Sequence, residues 1–167
     1  MDKKISLNEK FFIAGSSGMV GSSIHRALLK NGYGRKENDG IIFTPKRNNL
    51  DLLNDKEVKL WFETNKPTVV IVAAAKVGGI LANSTNPYNF LLENLKIQNN
   101  IIDSAFKNGV KRLLFLGSSC IYPKLCQQPI KEEYLLSGQL EVTNQWYAIA
   151  KIAGIKLCQA LRNQYNF

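Results

Sequence analysis

The sequence predicts an α/β fold, a doubly wound parallel sheet. Short apolar runs with strand composition alternate with longer segments of helical periodicity, which is the signature of repeated βαβ units with right-handed crossovers. A glycine pattern closes the first apolar run and opens the first helix. No hinge-like composition marks a second domain, so residues 1–167 read as one unit.

Taken in order, Phe11 to Ala14, Ile41 to Thr44, Val69 to Ala73 and Arg112 to Leu116 read as strands. Val69-Val70-Ile71-Val72 is apolar throughout, as expected where helices cover both faces of a sheet. Met19 to Lys30 reads as a helix with Val20, Ile24, Ala27 and Leu28 on one stripe, and Asn54 to Thr64 as another with Val58, Trp61 and Phe62. Pro87 to Asn108 is a longer helix carrying Leu91, Leu92, Leu95, Ile101, Ile102 and Ala105. Loops are expected at Asn31 to Gly40, Asn83 to Pro87 and Pro123 to Gln145. The last is long for a compact domain, and such loops are commonly functional.

Composition narrows the partners. The formal net charge is +9, yet the 22 Lys and Arg residues run from Lys3 to Arg162 with no tract longer than two. That scatter argues against nucleic acid and suits a small polyanion such as a dinucleotide phosphate. The first residues, Met1-Asp2-Lys3-Lys4-Ile5-Ser6, contain no apolar leader core, and no run is long enough to span a bilayer. Cys120, Cys126 and Cys158 are odd in number and lack the paired spacing of a zinc site, so no metal is expected. Reduced thiols fit the cytoplasm.

Gly15-Ser16-Ser17-Gly18-Met19-Val20-Gly21 lies directly between the first strand and the first helix. That context converts a GxxGxxG spacing into a dinucleotide loop of Rossmann-like type. Gly15 permits a sharp turn, Gly18 a close approach to pyrophosphate, and Gly21 close packing of the helix, while free N–H groups face the phosphates. An NAD enzyme would normally place an acidic residue after the second strand. Here that strand runs into Pro45-Lys46-Arg47, and Asp39 stands at its opposite end. Arg47, helped by Lys46, could neutralise a 2′-phosphate, which makes NADP(H) the preferred cofactor.

Tyr147 and Lys151 are four apart and share one helical face. Lowering a phenol from about 10 to neutrality takes roughly 4 kcal/mol. Lys151 and an oxidised nicotinamide ring are expected to supply it. Ser118 then holds a carbonyl or hydroxyl while Tyr147 exchanges its proton. Cys120 alone reads as a small buried hydrophobe. Beside Ser118, a thiol of ordinary pKa near 8.5 reads instead as an acid or base.

The glycine loop with Ser118, Tyr147 and Lys151 resembles the extended short-chain dehydrogenase/reductase superfamily. Four stretches narrow the resemblance to the GDP-L-fucose synthase family: Gly18 to Gly21, Ala73 to Ile80, Leu116 to Lys124 and Tyr147 to Gly154. The resemblance implies epimerisation at C3 and C5 of GDP-4-keto-6-deoxy-D-mannose, followed by NADPH reduction at C4. It implies Ser118, Cys120, Tyr147 and Lys151 as catalytic residues. Cofactor contacts would fall to Gly15, Ser16, Ser17, Gly18, Met19, Val20, Gly21, Arg47, Leu116, Gly117, Ser118, Ser119 and Lys151.

Two departures accompany it. Ser17 stands where some members carry a basic residue, and the family's histidine partner of the cysteine has no counterpart, His25 on the first helix being the single histidine. The chain is therefore expected to be the cofactor half of such an enzyme, truncated after the active-site helix and inactive alone. The strand at Arg112 to Leu116 is expected as an unprotected sheet edge. Apolar faces on the Pro87 and Tyr147 helices suggest a homodimer. Two other readings stay open, another NAD-dependent nucleotide-sugar epimerase or dehydratase, and a dinucleotide-binding module without turnover.

Overall fold

A computed structural model describes residues 5–167, so the reading of Met1 to Lys4 lies outside the described residues. Four parallel strands, β1 (Lys10–Ala14), β2 (Ile41–Phe43), β3 (Val69–Val72) and β4 (Arg112–Phe115), stand in the order β2-β1-β3-β4. Five helices connect and flank them: α1 (Met19–Lys30), α2 (Asp55–Asn65), α3 (Ile80–Thr85), α4 (Pro87–Lys107) and α5 (Gln145–Tyr165). The chain passes from β1 outward to β2 and then returns across β1 to β3. A crevice opens at such a reversal, beyond the carboxyl ends of the strands.

Alternation along β1 divides the core. Phe12 and Ala14 face Val58 and Phe62 of α2 and Ile101 and Ala105 of α4, all fully or nearly fully buried. Phe11 and Ile13 face the other way, toward Ile24 and Leu28 of α1. Within the larger layer Phe12 packs edge-on to Phe62, with ring centroids 5.6 Å apart, and tilted against Trp61 at 4.4 Å. Aromatic pairs of this geometry add stabilisation beyond the area they bury.

Local sequence sets the element ends. Asn54 caps α2 by accepting from the Lys56 and Glu57 N–H groups and donates to the Glu57 carboxylate, a reciprocal arrangement that fixes the start of the helix. Pro87 opens α4, where its missing N–H costs nothing. α3 occupies part of the stretch expected as a loop from Asn83. Its six residues carry one turn and a half, too few for periodicity to register. The long loop after Pro123 contains a single 3-10 turn, Glu132–Tyr134.

The α1 stripe is narrower than its spacing suggested. Ile24 and Leu28 pack on the sheet, whereas Val20 and Ala27 are exposed. β3 is buried at all four positions, as a helix-covered strand should be. β4 lies at the sheet edge and alternates instead, with Leu114 51% exposed, because α1 packs over β1 on that face and leaves β4 open.

Phe62 of α2 is wholly buried against β1. Phe62→Ala removes a ring from a packed layer and is expected to cost about 3–5 kcal/mol. Urea denaturation of both proteins at neutral pH measures the difference.

Candidate active site

Two groups of residues converge on the carboxyl end of the sheet. The first surrounds a cleft of about 800 Å³ lined by the whole of Gly15 to Gly21, by Pro45, Lys46 and Arg47 after β2, and by Ala73 to Val77 after β3. Gly15 has φ +83°, and a Cβ there would sit 2.6 Å from the Ala74 nitrogen. The turn and the wall of the cleft thus both require glycine. A Cβ on Gly21 would run into the Gly15 carbonyl oxygen, so this glycine serves packing of the helix against the loop itself. Gly18 differs, since a Cβ there would meet only the Gly15 oxygen. It leaves a cradle a side chain would fill.

α1 begins at Gly18 without a side-chain cap and without acidic residues in its first turn. Its first N–H groups lack intrahelical acceptors and carry the positive end of the helix dipole. With Lys46 and Arg47 across the cleft, this donor set fits a dinucleotide phosphate. Asp39 caps a 3-10 turn ahead of β2 and is absent from the cleft lining. Asp51, which periodicity did not single out, lines it.

The wall after β3 is held by a residue the sequence reading missed. Asn94 of α4, 2% exposed, accepts from the Lys76 N–H at 2.8 Å and donates to the Lys76 carbonyl at 3.0 Å and the Phe90 carbonyl at 2.7 Å. It occupies both main-chain groups of Lys76, as a neighbouring strand would. The Lys76 ammonium meets Glu93 at 2.7 Å, and both side chains line the cleft. A signal existed: the amides Asn94 and Gln98 interrupt an apolar stripe at helical spacing, and buried amides need partners.

The second group follows β4. Ser118 is extended, and Cys120 lies in the 3-10 turn Ser119–Ile121. The Cys120 Sγ donates to the Ser118 Oγ at 3.2 Å. Tyr147 reaches the same serine from α5 through a side-chain hydrogen bond. Lys151, one turn further along, is 4% exposed and donates from Nζ to the Leu116 carbonyl at 3.0 Å. Its ammonium stands 4.7 Å from the Phe115 ring centroid and 5.8 Å from that of Tyr147. Ser118, Cys120, Tyr147 and Lys151 are therefore assembled as one cluster, with Leu116 in contact with it. They are not among the residues that line the cleft.

α5 is placed by buried contacts. Gln98 of α4 donates to the Ala150 carbonyl at 2.7 Å. A Cβ on Gly154 would lie 2.5 Å from the Phe115 ring, so the glycine lets α5 settle onto that ring. His25 is part-exposed on α1, across the sheet from α5. Among the described residues no cluster of His, Cys, Asp and Glu could hold a metal ion.

Burial pushes the Tyr147 phenol above its ordinary value, the charge of Cys120 adds to the rise, and the Ser118 hydrogen bond opposes it. The Lys151 ammonium rests on a carbonyl and the face of Phe115. Tyr147 is held as a phenol, the form that gives a proton. Burial lowers Lys151 to about 8, partly countered by Cys120. Among the described residues no carboxylate pairs with Lys151.

A glycine loop after the first strand and a Ser/Tyr/Lys cluster formed after the fourth strand and on the last helix accompany a parallel sheet of this order. The chain belongs to the NAD dependent epimerase/dehydratase family, whose model matches residues 11–167. It is 54% identical to the GDP-L-fucose synthase of Sinorhizobium fredii over 158 residues, covering 95% of this chain and 48% of that one. It is 50% identical to the Escherichia coli K12 GDP-L-fucose synthase, covering 95% and 47%. The GDP-mannoheptose C4 reductase MlghC of Campylobacter jejuni, solved with NADP bound, superposes with a TM-score of 0.88 at 38% identity, over 97% of this chain and 49% of that one. The chain spans about half the length of the curated relatives it matches.

The lowered Lys151 carries a signature in stability. Its value is 10.5 when unperturbed and about 8 when folded, so between those limits the unfolded chain binds more protons and stability rises with pH. Lys151→Met removes this dependence. The variant's stability relative to the parent is expected to fall from pH 7 to pH 10 by an amount on the order of 3 kcal/mol, read from urea midpoints.

Proposed function

We propose that these residues form the NADP(H)-binding, Rossmann-like unit, over residues 1–167, of a 3,5-epimerase/4-reductase that converts GDP-4-keto-6-deoxy-D-mannose to GDP-L-fucose. The observation that carries the reading is the cluster in which Ser118 is hydrogen-bonded to both Cys120 and Tyr147, with Lys151 beside them. The identity to two GDP-L-fucose synthases supports the substrate, and the NADP of the heptose reductase supports the cofactor.

The cradle at Gly18 and the first turn of α1 would receive the pyrophosphate, bounded by Ser16, Ser17, Met19 and Val20. Arg47 and Lys46 would meet the 2′-phosphate. Leu116, Gly117 and Ser119 would flank the nicotinamide end, with Lys151 held beside them by the Leu116 carbonyl. The bound cofactor supplies the hydride that reduces C4.

A C4 ketone acidifies the C–H bonds at C3 and C5. Cys120 exchanges protons with those carbons, and Ser118 donates a hydrogen bond toward the C4 oxygen. Tyr147, kept protonated by burial, gives its proton to that oxygen as the alcohol forms. A binder without turnover would have no use for a phenol and a thiol sharing one hydroxyl. The exposed faces of α4 and α5, with Tyr88, Trp146 and Ile149, are proposed to meet a second copy. Three free thiols suit a cytoplasmic setting, and no helix among the described residues is long and apolar enough to cross a membrane.

The decisive experiment takes the product of the whole reading frame that carries these residues, supplied with NADPH and GDP-4-keto-6-deoxy-D-mannose. GDP-L-fucose is the expected product. Turnover of a GDP-heptose in its place would transfer the reading to the heptose reductases. Fluorescence titration of this chain is expected to show NADPH binding at least tenfold tighter than NADH, with Arg47→Ala removing most of the difference. Equal affinities would overturn the role of Arg47.

A further inference from the structure

The Ser118 hydroxyl is shared. Cys120 Sγ approaches it at 3.2 Å from the 3-10 turn, and Tyr147 approaches it from α5. The distance and donor direction are those of a thiol donating to an oxygen. A hydroxyl holding both neighbours can accept a proton from one side while releasing its own to the other. The titratable groups bearing on it are Cys120 on the turn, and Tyr147 and Lys151 on α5. Lys151 turns its ammonium to the Leu116 carbonyl, which leaves the serine to join the other two.

We propose that Cys120, Ser118 and Tyr147 form a single proton-sharing unit, with Ser118 as the conduit between the thiol and the phenol. This rests on the proposed epimerase/reductase reading. Once Tyr147 has given its proton to the sugar oxygen, it is a phenolate. The Ser118 hydroxyl proton moves to the Tyr147 oxygen as the Cys120 sulfur proton moves to Ser118. The phenol is restored, the serine hydroxyl is regenerated and the cysteine is left as thiolate. One proton has changed place and no electrons have. The thiolate is the form able to abstract a carbon-bound proton in the next cycle. Ser118 thus recharges the acid of one step with the proton that Cys120, as base, took from carbon in the other, the carbon regaining a proton from water on its opposite face.

Coupling between the two ends can be read without substrate or cofactor. In a Cys126→Ser, Cys158→Ser background, Cys120 is the single thiol, and its alkylation rate by iodoacetamide at fixed pH follows its thiolate fraction. A hydroxyl chain ending on Tyr147 polarises the serine toward the thiolate. Tyr147→Phe is therefore expected to slow alkylation about threefold. The same substitution should have no effect when Ser118 is alanine, and should regain its effect when Ser118 is threonine, which restores the hydroxyl. Glycine serves in place of alanine if the alanine variant does not fold, as judged by far-UV circular dichroism. An equal effect of Tyr147→Phe with and without the hydroxyl would mean coupling through space and overturn the conduit. So would no effect in the parent. Either failure leaves cofactor binding and product formation untouched, so the two readings fail separately.

Discussion

The ring of Phe115 is the point on which the site depends. It stands at the end of β4 with the Lys151 ammonium over it and the bare backbone of Gly154 against it. A desolvated cation over an aromatic face is worth about 2 kcal/mol, enough to favour one resting place for a charge that no carboxylate among the described residues pairs. Because Gly154 has no side chain, α5 comes close enough for Tyr147 to meet Ser118. A larger residue would lift the helix and carry the phenol away from the hydroxyl. The sheet therefore sets the chemistry through one aromatic contact, and Gln98 fastens the same helix from behind.

The glycine-lined cleft and the side-chain cluster are built by different means. The cleft is a matter of main chain: glycines too crowded or too twisted for a side chain, helix N–H groups, and a wall pinned by Asn94. The cluster is a matter of side chains from two elements far apart in sequence. Burial works in opposite senses on its two basic atoms, raising the phenol and lowering the ammonium. Only the second shift moves a group toward neutral pH: the lysine becomes a cation that can lose its charge, while the phenol holds its proton more tightly.

The βα alternation, the four strands within a residue or so and the glycine loop were legible because each is a local pattern. Apolar runs, helical stripes and glycine spacing report on neighbours in sequence. α3 was not legible, being shorter than two turns, and neither was the alternating burial of β4, which depends on what covers it. The cluster was legible as a set of chemical types, Ser118, Cys120, Tyr147 and Lys151. The direction of the Tyr147 shift was not, because it hangs on how deeply the folded chain buries the phenol. Asn94, Gln98, Phe115 and Gly154 were passed over since their work lies in contacts with residues 18 to 52 positions away or on another element. Nothing in a local stripe announces such a contact.

The stretch between the turn at Ser119 and the start of α5 at Gln145 is nearly devoid of regular structure. Loop closure becomes costlier only as the logarithm of length, so this segment can vary in size at little thermodynamic expense. Its effect on time is another matter. The two sides of the proton cluster cannot meet until β4 is seated and α5 has docked on α4, which places their union late in folding. Measured against the formation of helix and sheet, the encounter of Cys120 with Tyr147 through Ser118 would be a clock for the last step, and a chain caught short of it would hold a nearly complete nucleotide cleft with no chemistry beside it.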